Sequence, residues 1–250
     1  RQAALEAWIK EGVTAARVIA MDPAGVRLIR ARGDTTAELD FDRERLRERF
    51  AAWLEQGRYC QIALVDPDES SLLVAPATDR CTDTPAPIRD VIRAGLTTVS
   101  TEQDTENQPV LSFCAPVRDD DAHDAPIVGA IVLATRLDRY LGHLLGHAHS
   151  LPPSGEVVLV ERKDDGSVQM LSPWRHENLG PFTTVSDGTL VLAPSRDGAG
   201  RYVEEDGQAM LAAAGSLVYP RWTLVALIHE HEAFAAFDAR MLEVGGTFAV

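Results

Sequence analysis

The chain has 250 residues, of which 45% are hydrophobic, so it can fill one large or two ordinary domains and is not expected to be disordered. Its 38 acidic residues outnumber the 24 basic ones, giving a formal net charge of -14. This argues against a nucleic-acid partner, because proteins that bind phosphate backbones concentrate Lys and Arg on one face. The longest apolar runs, such as residues 127–134, are far shorter than the ~20 residues that a membrane-spanning helix needs.

Two helices are predicted before the first strand. Apolar side chains in residues 5–19 recur every three to four positions, the period of an amphipathic helix, and Asp22 with Pro23 interrupts or recaps that helix. A second helix carries its apolar residues near its end and stops at Gly57. Together they form the predicted N-terminal helical stalk, residues 1–57.

Beyond the stalk, the same order of elements occurs twice. Each copy has an apolar strand with an acidic turn, a helix or loop, a strand of small residues, and a long apolar strand that runs into a helix. Equivalent positions are Ile62 and Val157, Ser112 and Leu211, and Ile131 and Leu224, which lie 95, 99 and 93 residues apart. This nearly constant spacing predicts a tandem duplication; chance similarity of strand-turn-strand patterns is the alternative.

The two copies define the predicted domains. A proline-containing segment, residues 147–154, joins them, so the first domain is placed at residues 58–147 and the second at residues 148–240. Within the first, residues 85–95 predict a short helix that crosses one sheet face, and the polar residues 97–108 predict a loop. Hairpin-length turns and helices both connect the strands, which indicates an α+β class with two mainly antiparallel sheets.

The three cysteines, Cys60, Cys81 and Cys114, allow at most one disulfide. If the second strand pairs with the first around a turn at residues 66–70, the position opposite Cys60 lies near Pro76, and Cys81 comes within bonding reach. Three buried free thiols are the favoured interpretation, and the bridge between Cys60 and Cys81 is the alternative.

Neither a metal nor a catalytic site is predicted. Two groups of histidines have a spacing at which imidazoles can share a face: His143, His147 and His149, and His229 with His231. The first group lacks the neighbouring glutamate of a metallohydrolase and is interpreted as a solvated helix end, and the second has too few ligands. No hydrolase, Walker-type or dinucleotide-binding motif follows a strand, so no cofactor is predicted.

The order of elements resembles the double Cache sensor domains of bacterial transmembrane receptors, which are tandem PAS-like modules on a long N-terminal helix. The segments that carry the resemblance are residues 116–118, 128–133, 137–141, 156–162, 171–176 and 220–234. The turn at residues 66–70 departs from the family because it has no glycine, and the residues associated with amino-acid-binding members cannot be matched, which leaves the ligand open.

The resemblance implies an extracytoplasmic (periplasmic) ligand-sensing domain, flanked by membrane helices, of a sensor histidine kinase or cyclic-di-GMP signalling protein, and usually a homodimer. Both chain ends fit this placement, since Arg1 lies within a helix-like pattern and residues 241–250 read as the start of an exit toward a membrane helix. A frayed terminus is the alternative. The competing functions are a free solute-binding protein, an extracytoplasmic hydrolase, and a structural pairing domain without a ligand.

The resemblance also implies a ligand pocket between the first sheet and the segment that crosses it. Arg80 and Arg89 are the leading candidates there, because a guanidinium suits a carboxylate, a group carried by many small metabolites. Ser112 would add an orienting hydrogen bond. Surface positions for the arginines and a backbone-bonded core position for Ser112 are the alternatives. In the second domain Trp174, Arg175 and His176 either line a second pocket or have a structural role, in which they cap the core of that domain or contact the first domain; the structural role is favoured.

Overall fold

Two antiparallel sheets, each in its own compact unit, form the framework of the chain. One unit comprises residues 7–139, and the other comprises residues 1–6 and 140–250. The computed structural model describes residues 1–32, 34, 36–76, 81, 88–104, 106, 108–120, 125–146, 152–175, 178–185, 198–203, 207–218 and 221–235. Among these residues, no helix is both long and apolar enough to cross a membrane.

Three helices precede the first strand, so the prediction of two was wrong. They are α1 (Gln2–Ala20), α2 (Pro23–Arg30) and α3 (Ala37–Glu55). The carboxylate of Asp22 accepts a hydrogen bond from the amide of Ala24, and Pro23 occupies the first turn of α2, so the pair ends one helix and starts another. Thr36 caps α3 in the same way through the amide of Leu39.

The sheet of the first unit has the order β2-β1-β5-β4-β3, and every neighbouring pair is antiparallel. The elements are β1 (Gln61–Val65), β2 (Ser71–Ala75), α4 (Ile88–Ala94), β3 (Thr98–Gln103), β4 (Pro109–Arg118), β5 (Ile127–Arg136) and α5 (Leu137–Gly146). The predicted loop over residues 97–108 was wrong for Thr98–Gln103, because this polar segment pairs with β4 as an edge strand.

The two faces of this sheet are covered differently. On one face, α1 approaches so closely that a Cβ on Gly12 would lie 2.3 Å from the ring of the fully buried Phe113, whose ring also meets Trp8 edge-on at 6.2 Å. On the other face, Ile88 and Val91 of α4 pack in one buried cluster with side chains that include Ala63, Cys114 and Val132.

A disulfide joins Cys60 and Cys81, with a Cα–Cα distance of 5.8 Å, and Cys114 is a buried free thiol. The favoured interpretation of three free thiols was therefore wrong. The hairpin register is consistent with the bridge, because the pairing of Ala75 with Ile62 brings the end of β2 close to Cys60.

The second unit repeats the pattern of the first. Its strands are β6 (Glu156–Arg162), β7 (Val168–Met170), β8 (Thr184–Val185), β9 (Gly198–Val203), β10 (Ala209–Ser216) and β11 (Trp222–His229), in the order β8-β7-β6-β11-β10-β9. The strand β6 lies between β7 and β11 just as β1 lies between β2 and β5, so the predicted duplication and the α+β class are confirmed. A helical segment follows at residues 230–235.

Candidate functional site

A transverse row of polar and small residues crosses four strands of the first sheet. In the strand register Ser100 pairs with Ser112, Ser112 with Ala134, and Ala134 with Gln61. Directly paired residues of antiparallel strands project to the same face, so these four side chains share one face, and we call them the polar row.

The polar row lies on the face that α4 covers. Cys114 and Val132 are two positions from Ser112 and Ala134 along their strands, so they project to the same side, and both pack in the cluster that contains Ile88 and Val91. Ala134 itself is clustered with Cys60 and Cys81. The polar row is therefore flanked by α4 in one direction along the strands and by the disulfide in the other.

Ser112 is the most informative member of the polar row. It is fully buried, and its Oγ has no hydrogen-bond partner among the described residues. Leaving a buried hydroxyl without a partner costs about 1–3 kcal/mol, so such groups are uncommon unless something else satisfies them. Beside it, Ala134 contributes only a methyl group to the same face of the sheet.

The charge next to the polar row is negative. Glu102 is two residues from Ser100 on β3 and projects to the same face, and the hydroxyl of Ser100 donates to its carboxylate at 3.3 Å. Burial, and after it the Glu102 carboxylate, raise the pKa of the Cys114 thiol, so that thiol is neutral at physiological pH. A carboxylate and hydroxyls together suit a ligand that donates hydrogen bonds or carries a positive charge.

The predicted site residues fall in different places. Ser112 lies in the polar row, whereas Arg89 is 84% exposed and bonds the carboxylate of Glu69, with its Nε 2.6 Å from Oε1. Arg89 is exposed because Ile88 and Val91 form the buried side of α4 and leave residue 89 on the outer side. Arg80 lies outside the described residues.

In the second unit Trp174 is 3% exposed and belongs to the core cluster with residues such as Val158 and Met210. Arg175 is exposed, and its backbone amide donates to the carboxylate of Glu156 at 2.9 Å. His176 lies outside the described residues. These contacts are those of a core residue followed by a surface residue.

The histidines add no described metal site. The rings of His229 and His231 lie 5.4 Å apart, and the described residues contain no group of three or more His, Cys, Asp or Glu side chains that could hold a metal ion. His147, His149 and the side chain of His143 are not among those residues.

Sequence analysis missed Gln61, Ser100 and Glu102. Ser100 and Glu102 were hidden by the loop prediction, although Thr98, Ser100 and Glu102 alternate with Val99 and Thr101 in the period of a strand. For Gln61 the sequence signal is a polar residue at the start of an otherwise apolar strand, and the structure shows that this residue is only 7% exposed.

Comparison with known proteins identifies the architecture. The ligand-binding domain of the Pseudomonas aeruginosa PAO1 amino acid chemoreceptor PctB, in complex with L-Arg, matches with a TM-score of 0.65 at 15% identity, over 98% of this chain and 88% of that one. This chain has the double Cache fold.

Two further structures share the double Cache fold with it. The ligand-binding domain of the chemoreceptor PctC from the same organism, in complex with GABA, has a TM-score of 0.59 at 13% identity and covers 91% of this chain and 94% of that one. The extracellular domain mmHK1S-Z3, assigned to a histidine kinase, has a TM-score of 0.65 at 13% identity over 94% of this chain and 93% of that one. No family model and no curated protein matches the chain.

Proposed function

We propose that this chain is the extracytoplasmic ligand-sensing domain of a transmembrane signalling receptor, and that it binds a small molecule over the polar row of its first unit. The observation that carries the proposal is the Ser112 hydroxyl, which is fully buried without a partner among the described residues, next to the small Ala134. A bound molecule that satisfies this hydroxyl offsets its desolvation cost.

The ligand class follows from the charge beside the row. Glu102 favours an ammonium or another strong donor, and serine hydroxyls and the Gln61 amide can meet an acceptor at the other end. The solved relatives point to the same class, because L-Arg and GABA each carry an ammonium and a carboxylate. We therefore favour a small zwitterion or amine, with Arg80 still predicted to meet its carboxylate, whereas Arg89 lies on the outer side of α4.

Signalling in this proposal needs no chemistry. A ligand shifts a population of conformations only by its differential affinity for them, and here the shift passes to the last helix and then to a membrane helix and a cytoplasmic output domain. Within the second unit, the backbone amide of Ser154 donates to Glu232 at 2.9 Å, and the amide of His229 donates to the Ser154 hydroxyl at 3.0 Å. These bonds tie the start of the predicted membrane-proximal module, residues 148–240, to the first turn of that helix.

The wider assignments belong to the same proposal: residues 58–147 form the membrane-distal module, membrane helices flank the domain, and α1 forms a homodimer contact. A gene that continues beyond residue 250 into a membrane span and an output domain would support the receptor. A gene that ends there without a span would favour the free solute-binding protein instead.

The experiment is a thermal-shift screen of the purified chain against amines, amino acids, organic acids, sugars and purines, followed by calorimetry on the hits. A ligand at a hundred times its Kd adds about 2.7 kcal/mol, which should raise the melting temperature by roughly 5–10 °C for a chain of this size. We expect hits confined to molecules with an ammonium group.

A matched pair of variants locates the site. Glu102→Gln should weaken an ammonium ligand at least about tenfold, the loss expected for a charge-assisted hydrogen bond. Glu44→Gln makes the same change on α3, where the side chain is 60% exposed and away from the row, and should leave affinity unchanged. Hits with no ammonium, or equal affinities in the two variants, would remove Glu102 from the site; a screen without hits would contradict direct sensing.

A further inference from the structure

A cavity lies at one end of the first unit and shares no residue with the polar row. Its volume is about 690 Å³, within the range of small-molecule sites, and it lies where the end of α1 and the start of α2 meet the start of β3 and the end of β4. Its apolar lining consists of Ala20, Met21, Pro23, Val26, Leu96 and Pro116. Met21 and Leu96 are 64% and 60% exposed, so the cavity presents bare apolar surface to solvent.

Arg118 supplies a fixed positive charge in this cavity. Its Nη1 donates to the carbonyl of Ala125 and its Nη2 to the carbonyl of Gly95, both at 2.9 Å. A guanidinium has five N–H groups, so these two neutral acceptors orient it without using its full capacity. Among the described residues no carboxylate lies within ion-pair distance of Arg118, which leaves its charge uncompensated there.

Arg17 adds a second guanidinium from α1. Its Nε donates to the hydroxyl of Thr97 at 2.9 Å, and it too forms no ion pair among the described residues. The short segment from Gly95 to Thr97 therefore holds both arginines at the cavity wall. The third arginine, Arg27, is already bonded to Asp42 through Nε and Nη2, each at 2.6 Å.

Two acidic residues also line the cavity. Asp119 forms an ion pair with Arg30 through Oδ2, while its Oδ1 is buried without a hydrogen-bond partner among the described residues, and Asp120 is exposed to solvent. In a chain with a formal net charge of -14, two arginines held by neutral acceptors are a distinct local feature.

Gly95 lies directly beside the Arg118 guanidinium and helps to define its position. Its φ is +64°, a conformation that L side chains rarely adopt, and a Cβ at this position would lie 3.1 Å from Nη2 of Arg118. The turn favours glycine because of this φ, and a side chain here would also require the Arg118 guanidinium to shift by a few tenths of an ångström.

We propose that this cavity is a binding site for a small monocarboxylate with an apolar body, such as a medium-chain fatty acid. The carboxylate bonds the free N–H groups of Arg118 and Arg17, because a planar guanidinium fork matches a carboxylate. The apolar body covers Met21 and Leu96, whose burial supplies the remaining affinity. The site gives the domain a second input, independent of a ligand over the polar row.

Calorimetry with hexanoate and hexanamide on the 250-residue chain tests this site. We expect hexanoate to bind and hexanamide, which has the same apolar body without the charge, to bind at least about tenfold more weakly, as for loss of a charge-assisted bond. Arg118→Gln should weaken hexanoate by about tenfold to a hundredfold on the same basis. Leu96→Asp, at an exposed position, should abolish binding by placing a negative charge in the cavity.

The controls separate this site from the polar row. Arg43→Gln makes the same charge change on α3, in an exposed pair with Asp40, and should leave hexanoate binding unchanged. If Arg118→Gln does not fold, the exposed Arg17→Gln carries the test. The proposal is overturned if hexanoate shows no binding at millimolar concentration, if the amide binds equally well, or if Ser112→Ala abolishes hexanoate binding while Arg17→Gln and Arg118→Gln do not change it.

Discussion

Replacing Ser112 with Ala should make the ligand-free protein more stable and the ligand-bound complex weaker. The Ser112 oxygen is fully buried and has no hydrogen-bond partner among the described residues, so the folded state carries its desolvation cost of about 1–3 kcal/mol. Alanine removes that cost and loses only the packing of one oxygen atom, which leaves a net gain of about 1 kcal/mol.

The assay is thermal unfolding with and without a hit from the ligand screen. A gain of 1 kcal/mol should raise the melting temperature of the free variant by roughly 2–4 °C, and loss of one hydrogen bond to the ligand should weaken binding by about fivefold to tenfold. Ser100→Ala is the control, because that hydroxyl donates to Glu102 and its removal should give no such gain. A free Ser112→Ala protein that is less stable than the parent, with unchanged affinity, would refute the reasoning, since the hydroxyl would then have a structural partner.

Two further predictions concern stability. Asp42→Asn should destabilise the first unit by about 1–3 kcal/mol, because the Asp42 carboxylate is 4% exposed and accepts hydrogen bonds from both Nε and Nη2 of Arg27. The 45% exposure of Arg27 reduces this effect. The control Asp40→Asn, in an exposed pair on the same helix, should cost less than about 0.5 kcal/mol. The hydrogen bond from Arg27 lowers the pKa of Asp42, so this stabilisation is complete above the ordinary aspartate pKa of about 4 and is lost as pH falls through the lowered value. Urea midpoints between pH 7 and 3 should therefore fall less in Asp42→Asn than in the parent protein. Parallel pH profiles of the two proteins would contradict the ion pair. Gly12→Ala should destabilise the protein by about 1–3 kcal/mol despite the better helix propensity of alanine, since the new Cβ would lie 2.3 Å from the buried Phe113 ring. Gly142→Ala, with open space around it in α5, should instead stabilise the protein by up to about 1 kcal/mol. Equal effects of the two variants in urea unfolding would show that α1 does not pack closely against Phe113.

The fold was predictable because its signals are local and repeated. Apolar strands alternate with turns at similar spacings in both units: β1 and the pair β4 with β5 in the first, and β6 and the pair β10 with β11 in the second. The same sequence pattern therefore predicts both sheets. The number of N-terminal helices was predicted wrongly because Asp22-Pro23 can either end a helix or start one. The structure shows that these two residues do both.

The candidate site was harder to predict because it depends on strand register. Gln61, Ser100, Ser112 and Ala134 come from four strands, and nothing in the spacing of these residues indicates that they lie in one row. Ser112 could be singled out as a hydroxyl in an apolar strand, but the edge strand β3 is polar and pairs on one side only, so hydrophobicity gives it no strong signal.

Arg89 shows why residue type alone is a weak guide to a binding site. A guanidinium near the predicted pocket is chemically suited to a carboxylate, yet one position along α4 decides whether the side chain faces the sheet or the solvent. Ile88 and Val91 take the buried side because they are apolar, and Arg89 therefore lies outside, beside Glu69. By contrast, Arg118 was not considered a candidate from sequence. Its suitability as a carboxylate-binding residue depends on the carbonyls of Ala125 and Gly95, which orient its guanidinium, and on the lack of a side chain at Gly95. Charge at a site is informative once the structure shows which charges are already compensated, and in the first unit that criterion favours Arg118 and Arg17 over Arg89.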